Sequence, residues 1–264
     1  MTLVLGGNGK TGRRVVERLT TLHVPTRVGS RNGEPPFDWE DPGTWPAALE
    51  GVDRVYVAHP EIALPAAVPQ IADFARAAVA AGAERLVLLS GRGSRVLRAA
   101  EEGVKRSGAA WTFLRPGWFN QNLNEGYLLE EVLAGVITAP GIATAEDFVD
   151  AEDIADVAVA ALTGDGHIGR AYQLSGPRLL TFAEVAAELS ALTGRTITFH
   201  PVSEEQYRET LRNSALPDDL IDDFVASLSD ESVRLGDGVQ VVLGRSPVDF
   251  SDYARRAAAT GVWS

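Results

Sequence analysis

The stretch Gly6-Gly7-Asn8-Gly9-Lys10-Thr11-Gly12 constrains this chain more than any other. It separates a short apolar run, Thr2 to Leu5, from a segment over 10–22 in which Val15, Val16, Leu19 and Leu22 recur at helical intervals. A strand that turns through glycines directly into a helix is the opening of a parallel βαβ unit. In the spacing G-x-x-G-x-x-G, Gly6 permits the tight turn, Gly9 lets the backbone approach a diphosphate, and Gly12 lets helix and strand pack closely. The N–H groups at the helix start, with the positive end of its dipole, favour an anion there. Gly6, Asn8, Gly9, Lys10, Thr11 and Gly12 are therefore the expected dinucleotide contacts. The alternative is a glycine-rich turn that holds nothing. Gly9-Lys10-Thr11 also spells part of a triphosphate-binding loop, but that motif needs glycine where Val4 stands.

The rest of the chain repeats the alternation. Residues 25–29, 52–58, 85–89 and 111–114 read as strands, and 66–81 and 95–107 as helices, the first stopping at Gly82. Continuous apolar strands alternating with helices predict an α/β fold with a doubly wound parallel Rossmann sheet covered on both faces. Past residue 116 the rhythm loosens: a helix over 153–162, a strand over 171–174, a helix over 182–192, a strand over 196–199, and acidic helices near 203–213 and 217–228. These read as strands returning to the sheet, interleaved with a small, mostly helical lobe. The expectation is one NAD(P)-binding Rossmann domain over 1–264. Its core lies mainly in 1–150, with a substrate lobe from 117–145 and 176–250 and a substrate cleft between lobe and sheet.

Composition removes several classes of function. At 264 residues and 45% hydrophobic, the chain can bury the core of one large domain. A formal net charge of −12 disfavours nucleic acid. The absence of cysteine excludes disulfides, thiolate metal sites and cysteine nucleophiles. The opening residues lack the basic start and apolar core of a secretion signal, and no stretch approaches the roughly 18 apolar residues that span a bilayer. A cytoplasmic protein with no membrane partner is expected. His23, His167 and His200 show no metal-ligand spacing. Asp218, Asp219, Asp222 and Asp223 read as a solvated acidic helix, so no metal is expected.

The end of the second strand bears on the coenzyme. An NAD site usually carries Asp or Glu there, whereas this chain has Ser30-Arg31, able to donate to a 2′-phosphate. Arg13 is a possible second cation. NADP(H) is the coenzyme this pattern favours.

With Arg115-Pro116-Gly117-Trp118-Phe119, Asn122, Phe148-Val149-Asp150, Asp153-Ile154 and Leu174-Ser175-Gly176-Pro177, these segments span nearly the whole chain. Together they resemble the NmrA-like branch of atypical short-chain dehydrogenase/reductases. Phe37-Asp38-Trp39 with Thr44-Trp45 narrows the likeness to the agroclavine dehydrogenase and festuclavine synthase group of ergot alkaloid reductases. The resemblance implies a Rossmann core that binds NADP(H). It also implies nicotinamide-facing residues in three loops: Ala58-His59-Pro60, Ser90-Gly91-Arg92, and Pro116-Gly117 on to Asn120.

The catalytic pattern departs from the wider family. Typical members carry a Tyr-x-x-x-Lys pair on the helix after the fourth strand; here Lys105 is preceded by Glu101, and Val96 to Lys105 contains no tyrosine. Reduction of a ketone makes an alkoxide that needs an acid or strong stabilisation. Hydride addition to an iminium cancels a charge, and addition to a quinone or enone spreads one. The sequence thus predicts an NADP(H)-dependent reductase of a small cyclic imine or iminium, a quinone or an enone. The alternative is a non-catalytic NADP(H)-binding sensor. Ser90 and His59 are candidate catalytic groups, each with a plainly structural alternative. Trp118, Phe119 and Asn122 are candidate substrate contacts, or they pack the lobe.

Overall fold

The structure is a computed structural model. It describes residues 1–140, 145–212, 218, 221–222, 225 and 233–264. In chain order its elements are β1 (Thr2–Leu5), α1 (Lys10–Thr21), β2 (Thr26–Gly29), α2 (Trp45–Leu49), β3 (Arg54–Val57), α3 (Ala67–Ala80), β4 (Arg85–Leu89), α4 (Arg95–Arg106), β5 (Ala110–Pro116), α5 (Leu129–Ala134), β6 (Val136–Pro140), α6 (Ala151–Thr163), β7 (Arg170–Leu174), α7 (Phe182–Thr193), β8 (Thr198–Val202), α8 (Glu204–Arg212), α9 (Gly238–Leu243) and α10 (Phe250–Ala259).

Six strands form one parallel sheet in the order β2-β1-β3-β4-β5-β7. The doubly wound Rossmann expectation holds, with the strand order reversing beside β1. The crevice beyond the carboxyl ends of β1 and β3 is therefore the place where such sheets bind ligands. The inner strands β1, β3 and β4 are mostly apolar and buried because both faces are covered, whereas the edge strands β2 and β7 carry Arg27, Arg170 and Gln173. Side chains alternate: Leu3, Leu5, Val55, Val57, Leu86, Leu88 and Phe113 join one buried cluster with Ile71 and Phe74 of α3 and with Ala100 and Val104 of α4. Tyr56, one residue out of phase in β3, turns to the opposite face, where its hydroxyl donates to Thr11 Oγ1 at 2.9 Å.

On that face α1 packs beside α6, and charge as well as apolar contact joins them. Arg14 Nε lies 2.6 Å from Glu152, and Arg18 reaches both Glu152 and Asp156. Burial works against the charged form of Glu152, but hydrogen bonds from Arg18 and Arg14 outweigh it and hold the carboxyl below its ordinary range. Asp153, fully buried, faces Arg245 at 2.7 Å. The Arg14 and Arg18 pairs seat the helix that starts at the glycine loop against α6.

The chain divides into two compact units. The first is Met1–Pro116, Ala151–Leu174 and Asp237–Arg245; the second is Gly117–Asp150, Ser175–Gly236 and Ser246–Ser264. The second unit has its own core, including Leu123, Val132, Phe148, Val185, Leu189, Phe250 and Trp263. One expectation needs correction here. The strand expected over 196–199 is β8, and it does not return to the main sheet: it pairs in parallel with β6. Neither β6 nor α5, α9 and α10 was expected. Of the acidic helix expected over 217–228, only 218, 221–222 and 225 are among the described residues. Asp218 pairs with Arg212 and Asp222 with Arg208, while Asp219 and Asp223 lie outside the described residues. No described helix is long and apolar enough to cross a membrane.

Candidate active site

The glycine loop is built by close backbone approach. Gly6 has φ +65°, a left-handed conformation that disfavours any side chain. Gly9 N donates to Gly6 O at 2.8 Å, closing the turn. A Cβ on Gly12 would lie 2.1 Å from Gly6 O and 2.9 Å from Gly7 Cα, so the third glycine sets the distance between helix and loop. A Cβ on Gly7 would meet Val28 at 2.7 Å. Gly9 caps α1 without a side chain, and the first turn carries no acidic residue. That leaves the positive helix end without a built-in anion, as a diphosphate site requires.

These residues open onto a cleft of about 740 Å³ at the ends of β1, β2 and β3, within the range of about 300–1,000 Å³ typical of ligand pockets. The structure gathers Gly6, Asn8, Gly9, Thr11, Ser30, Arg31, Ala58, His59 and Pro60 around it. Arg31 is exposed at its rim. The sequence reasoning missed Gly7, Gly29, Asn32, Glu40 and Glu61, and it read Phe37, Asp38 and Trp39 only as marks of kinship. Asp38, Glu40 and Glu61 set three carboxylates against one guanidinium in the lining. Lys10, Arg13, Gly12, Ser90, Gly91, Pro116 and Gly117 are not part of it. Gly12 acts sterically. A Cβ on Gly117 would lie 2.1 Å from Asp147 O, so that glycine is required by its own neighbour.

His59 is engaged at both ring nitrogens. Its Nδ1 accepts from Glu61 N at 3.1 Å, which puts the ring proton on Nε2, 2.9 Å from Gln70 Oε1. Gln70 Nε2 in turn donates to Glu40 at 2.9 Å. Burial pushes the imidazole below its ordinary value of 6.5 against the opposing pull of Gln70, Glu61 and Glu40. The ring lies 4.6 Å from that of Trp39. His59 thus lines the cleft while its ring ties the loop after β3 to Gln70 of α3.

The loop after β4 is held differently. Leu97, Ala100, Glu101 and Val104 form the buried stripe of α4, which places a carboxylate on an apolar face. Glu101 is 1% exposed. It accepts from Ser90 Oγ at 2.7 Å, Arg115 Nε at 3.0 Å and Arg98 Nη1 at 2.8 Å. Arg115 shares its strand face with Phe113, the face that α4 covers. Desolvation pushes the Arg98 guanidinium below its ordinary range, the Glu101 charge opposes this, and Arg115 adds to it. Lys105 is directed elsewhere: it pairs with Glu102 at 2.5 Å and lies 5.3 Å above Trp111.

In the second unit, Trp118 packs edge-on against Phe182 at 5.2 Å and near Phe148 at 6.4 Å. Phe119 bridges Val149 through the backbone, and Asn122 N donates to Phe119 O at 3.0 Å.

Comparison with known proteins agrees with this geometry. Residues 6–165 match the family described as NAD(P)H-binding. The chain is 34% identical to an NAD(P)H azoreductase of Xenophilus azovorans, over 98% of each chain. It is 32% identical to festuclavine synthase II of Penicillium roqueforti, over 94% of this chain and 92% of that one. Its fold is similar to that of an NADPH-dependent quinone oxidoreductase of Escherichia coli solved with NADPH, with a TM-score of 0.76 at 23% identity, covering 97% of this chain and 99% of that one. A strand–glycine loop–helix at the switch point of a parallel sheet, with these relatives across the full length, places the chain in the NAD(P)H-binding family of oxidoreductases.

Proposed function

We propose that this chain is an NADPH-dependent reductase of small cyclic iminium, quinone or enone compounds, and that it works without a protein acid. The observation that carries this reading is Glu101. At the position where a tyrosine would stand four residues before Lys105, a buried carboxylate already accepts from Ser90, Arg98 and Arg115. Lys105, occupied by Glu102 and Trp111, is not aimed at a tyrosine's place. His59 has its proton committed to Gln70.

The glycine cradle and the uncapped start of α1 suit a diphosphate, and Ser30 with Arg31 suits a 2′-phosphate beside it. The bound coenzyme supplies a hydride, two electrons and a proton's mass, to the acceptor carbon and is itself oxidised. The chain's part is to orient the two partners and exclude water. An iminium is neutralised by that transfer. A quinone or enone delocalises the charge and takes its proton from water, whereas a simple ketone would leave an alkoxide with no donor. The relative named as an NAD(P)H azoreductase supports a conjugated acceptor other than a simple ketone.

The test is NADPH oxidation across cyclic iminium salts, quinones, enones and simple ketones. Turnover with one or more of the first three and none with ketones is expected. Ketone reduction at a comparable rate would overturn the reading. Tight NADPH binding with no turnover at all would favour a sensor.

A further inference from the structure

The aromatic side chains of the second unit form a row with one open end. Phe199 of β8 lies nearly parallel to Phe182 of α7, their centroids 6.0 Å apart. Phe182 meets Trp118 edge-on at 5.2 Å, and Trp118 lies 6.5 Å from Tyr127 at a tilt of 51°. Phe182 is buried in the core of the unit, whereas Tyr127 is 61% exposed. Among the described residues Tyr127 meets no ring but that of Trp118, and its hydroxyl has no hydrogen-bond partner. A supported ring with an uncovered face is a stacking surface for a third ring.

The backbone that carries Tyr127 is pinned on both sides. Glu125 N donates to Gln121 O at 3.0 Å, Leu128 N to Asn122 O at 3.1 Å and Leu129 N to Gly126 O at 3.1 Å. Leu128, the next residue, is buried in the core of the unit. The ring is therefore displayed from a fixed point, and little of its freedom is left to lose when a ligand covers it. Desolvation holds the Tyr127 phenol above its ordinary value, with Tyr207 and Glu131 adding to the effect. A ring open to solvent whose hydroxyl is nonetheless desolvated lines a hollow. Tyr207 is pushed up to about 12 by desolvation and Glu131, so both phenols are neutral at ordinary pH. Glu131, whose Oε2 accepts from Thr138 N at 2.5 Å, is the charge they share, and it repels an anion.

We infer that Tyr127, backed by Trp118, is a stacking subsite for a flat conjugated ring system that carries no negative charge. The ligand covers the face of the tyrosine ring, and Glu131 excludes acid-bearing relatives of the same shape. Naming that ligand as the hydride acceptor rests on the reductase reading above; the subsite itself rests on the rings and their surroundings.

The probes are menadione, a flat two-ring quinone, and 1,4-naphthoquinone-2-sulfonate, the same ring system with a negative charge. The chain has no cysteine, so neither can form a thiol adduct with it. Dissociation constants are measured by calorimetry in the presence of NADP⁺. Tyr127→Ala should weaken menadione about fivefold, Tyr127→Phe should stay within about twofold of the parent, and NADP⁺ binding should be unchanged in both. The sulfonate should bind the unaltered chain several-fold more weakly than menadione, and Glu131→Gln should narrow that gap. Menadione binding that survives Tyr127→Ala, or a sulfonate that binds as tightly as menadione, would overturn the inference and leave the reductase reading standing. Failure of the unaltered chain to bind menadione would also overturn it. Menadione binding that is lost with the tyrosine ring, in a chain that turns over no acceptor, would overturn the reductase reading and uphold the subsite.

Discussion

Two glycines of one loop should fail in different ways when each is changed to alanine. At Gly12 the new methyl would lie 2.1 Å from Gly6 O and 2.6 Å from Gly6 C, both backbone atoms in a closed turn. Neither can swing aside, so α1 and the loop must separate by about an ångström. Overpacking of this kind costs about 3 kcal/mol. Replacing glycine inside a helix returns about 1 kcal/mol, leaving a net loss of about 2 kcal/mol. In a chain of this length that lowers Tm by roughly 4–8 °C. At Gly9 the methyl would meet only Gly6 O, at 3.2 Å, and the backbone φ of −83° suits any residue. Gly9→Ala should therefore stay within about 2 °C of the parent yet weaken NADPH more than about tenfold, because the methyl occupies the diphosphate's approach. Thermal unfolding and calorimetry on both variants read the contrast. A Gly12→Ala protein as stable as the parent, or a Gly9→Ala protein that binds NADPH normally, would refute the reasoning.

Other consequences follow from the same geometry. Arg31→Glu should cost NADPH about 1.5–3 kcal/mol of binding, roughly tenfold to a hundredfold, and leave NADH nearly unchanged in a fluorescence titration. Glu101→Gln leaves two guanidiniums facing each other without an anion. Because Arg98 and Arg115 keep about a third of their side-chain surface exposed, the loss should be about 2–3 kcal/mol, below that of a fully buried pair, and is read by urea unfolding. For His59 the folded pKa lies below 6.5, so the unfolded chain takes up the proton first. The His59 contribution is constant above pH 6.5, and stability falls as pH drops from 6.5 toward the folded pKa. His59→Asn should flatten that part of the pH–stability curve.

What the sequence showed and hid has physical reasons. β1, β3, β4 and β5 were legible because parallel strands buried on both faces leave unbroken apolar runs. β6 was not, because Val136–Pro140 ends in proline and finds its partner about 60 residues later in β8. The glycine loop was legible because steric demands on glycine are local. The Phe37 to Glu40 wall was not, since it belongs to no periodic element and is held at the cleft by tertiary contacts, such as the packing of Phe37 and Trp39 on Phe74 and the hydrogen bond from Gln70 to Glu40. Glu101 carried a signal that went unread: a carboxylate in the stripe Leu97, Ala100, Val104 must be buried, and a buried carboxylate needs cations. The partner, Arg115, was in view as part of Arg115-Pro116-Gly117, but nothing local joins the two.

The most direct measurement is calorimetric titration of the purified, folded chain with NADPH and NADH. A single saturable site that holds NADPH at least several-fold more tightly than NADH is expected. An absence of binding heat with both coenzymes, in protein whose unfolding is cooperative, would contradict the account.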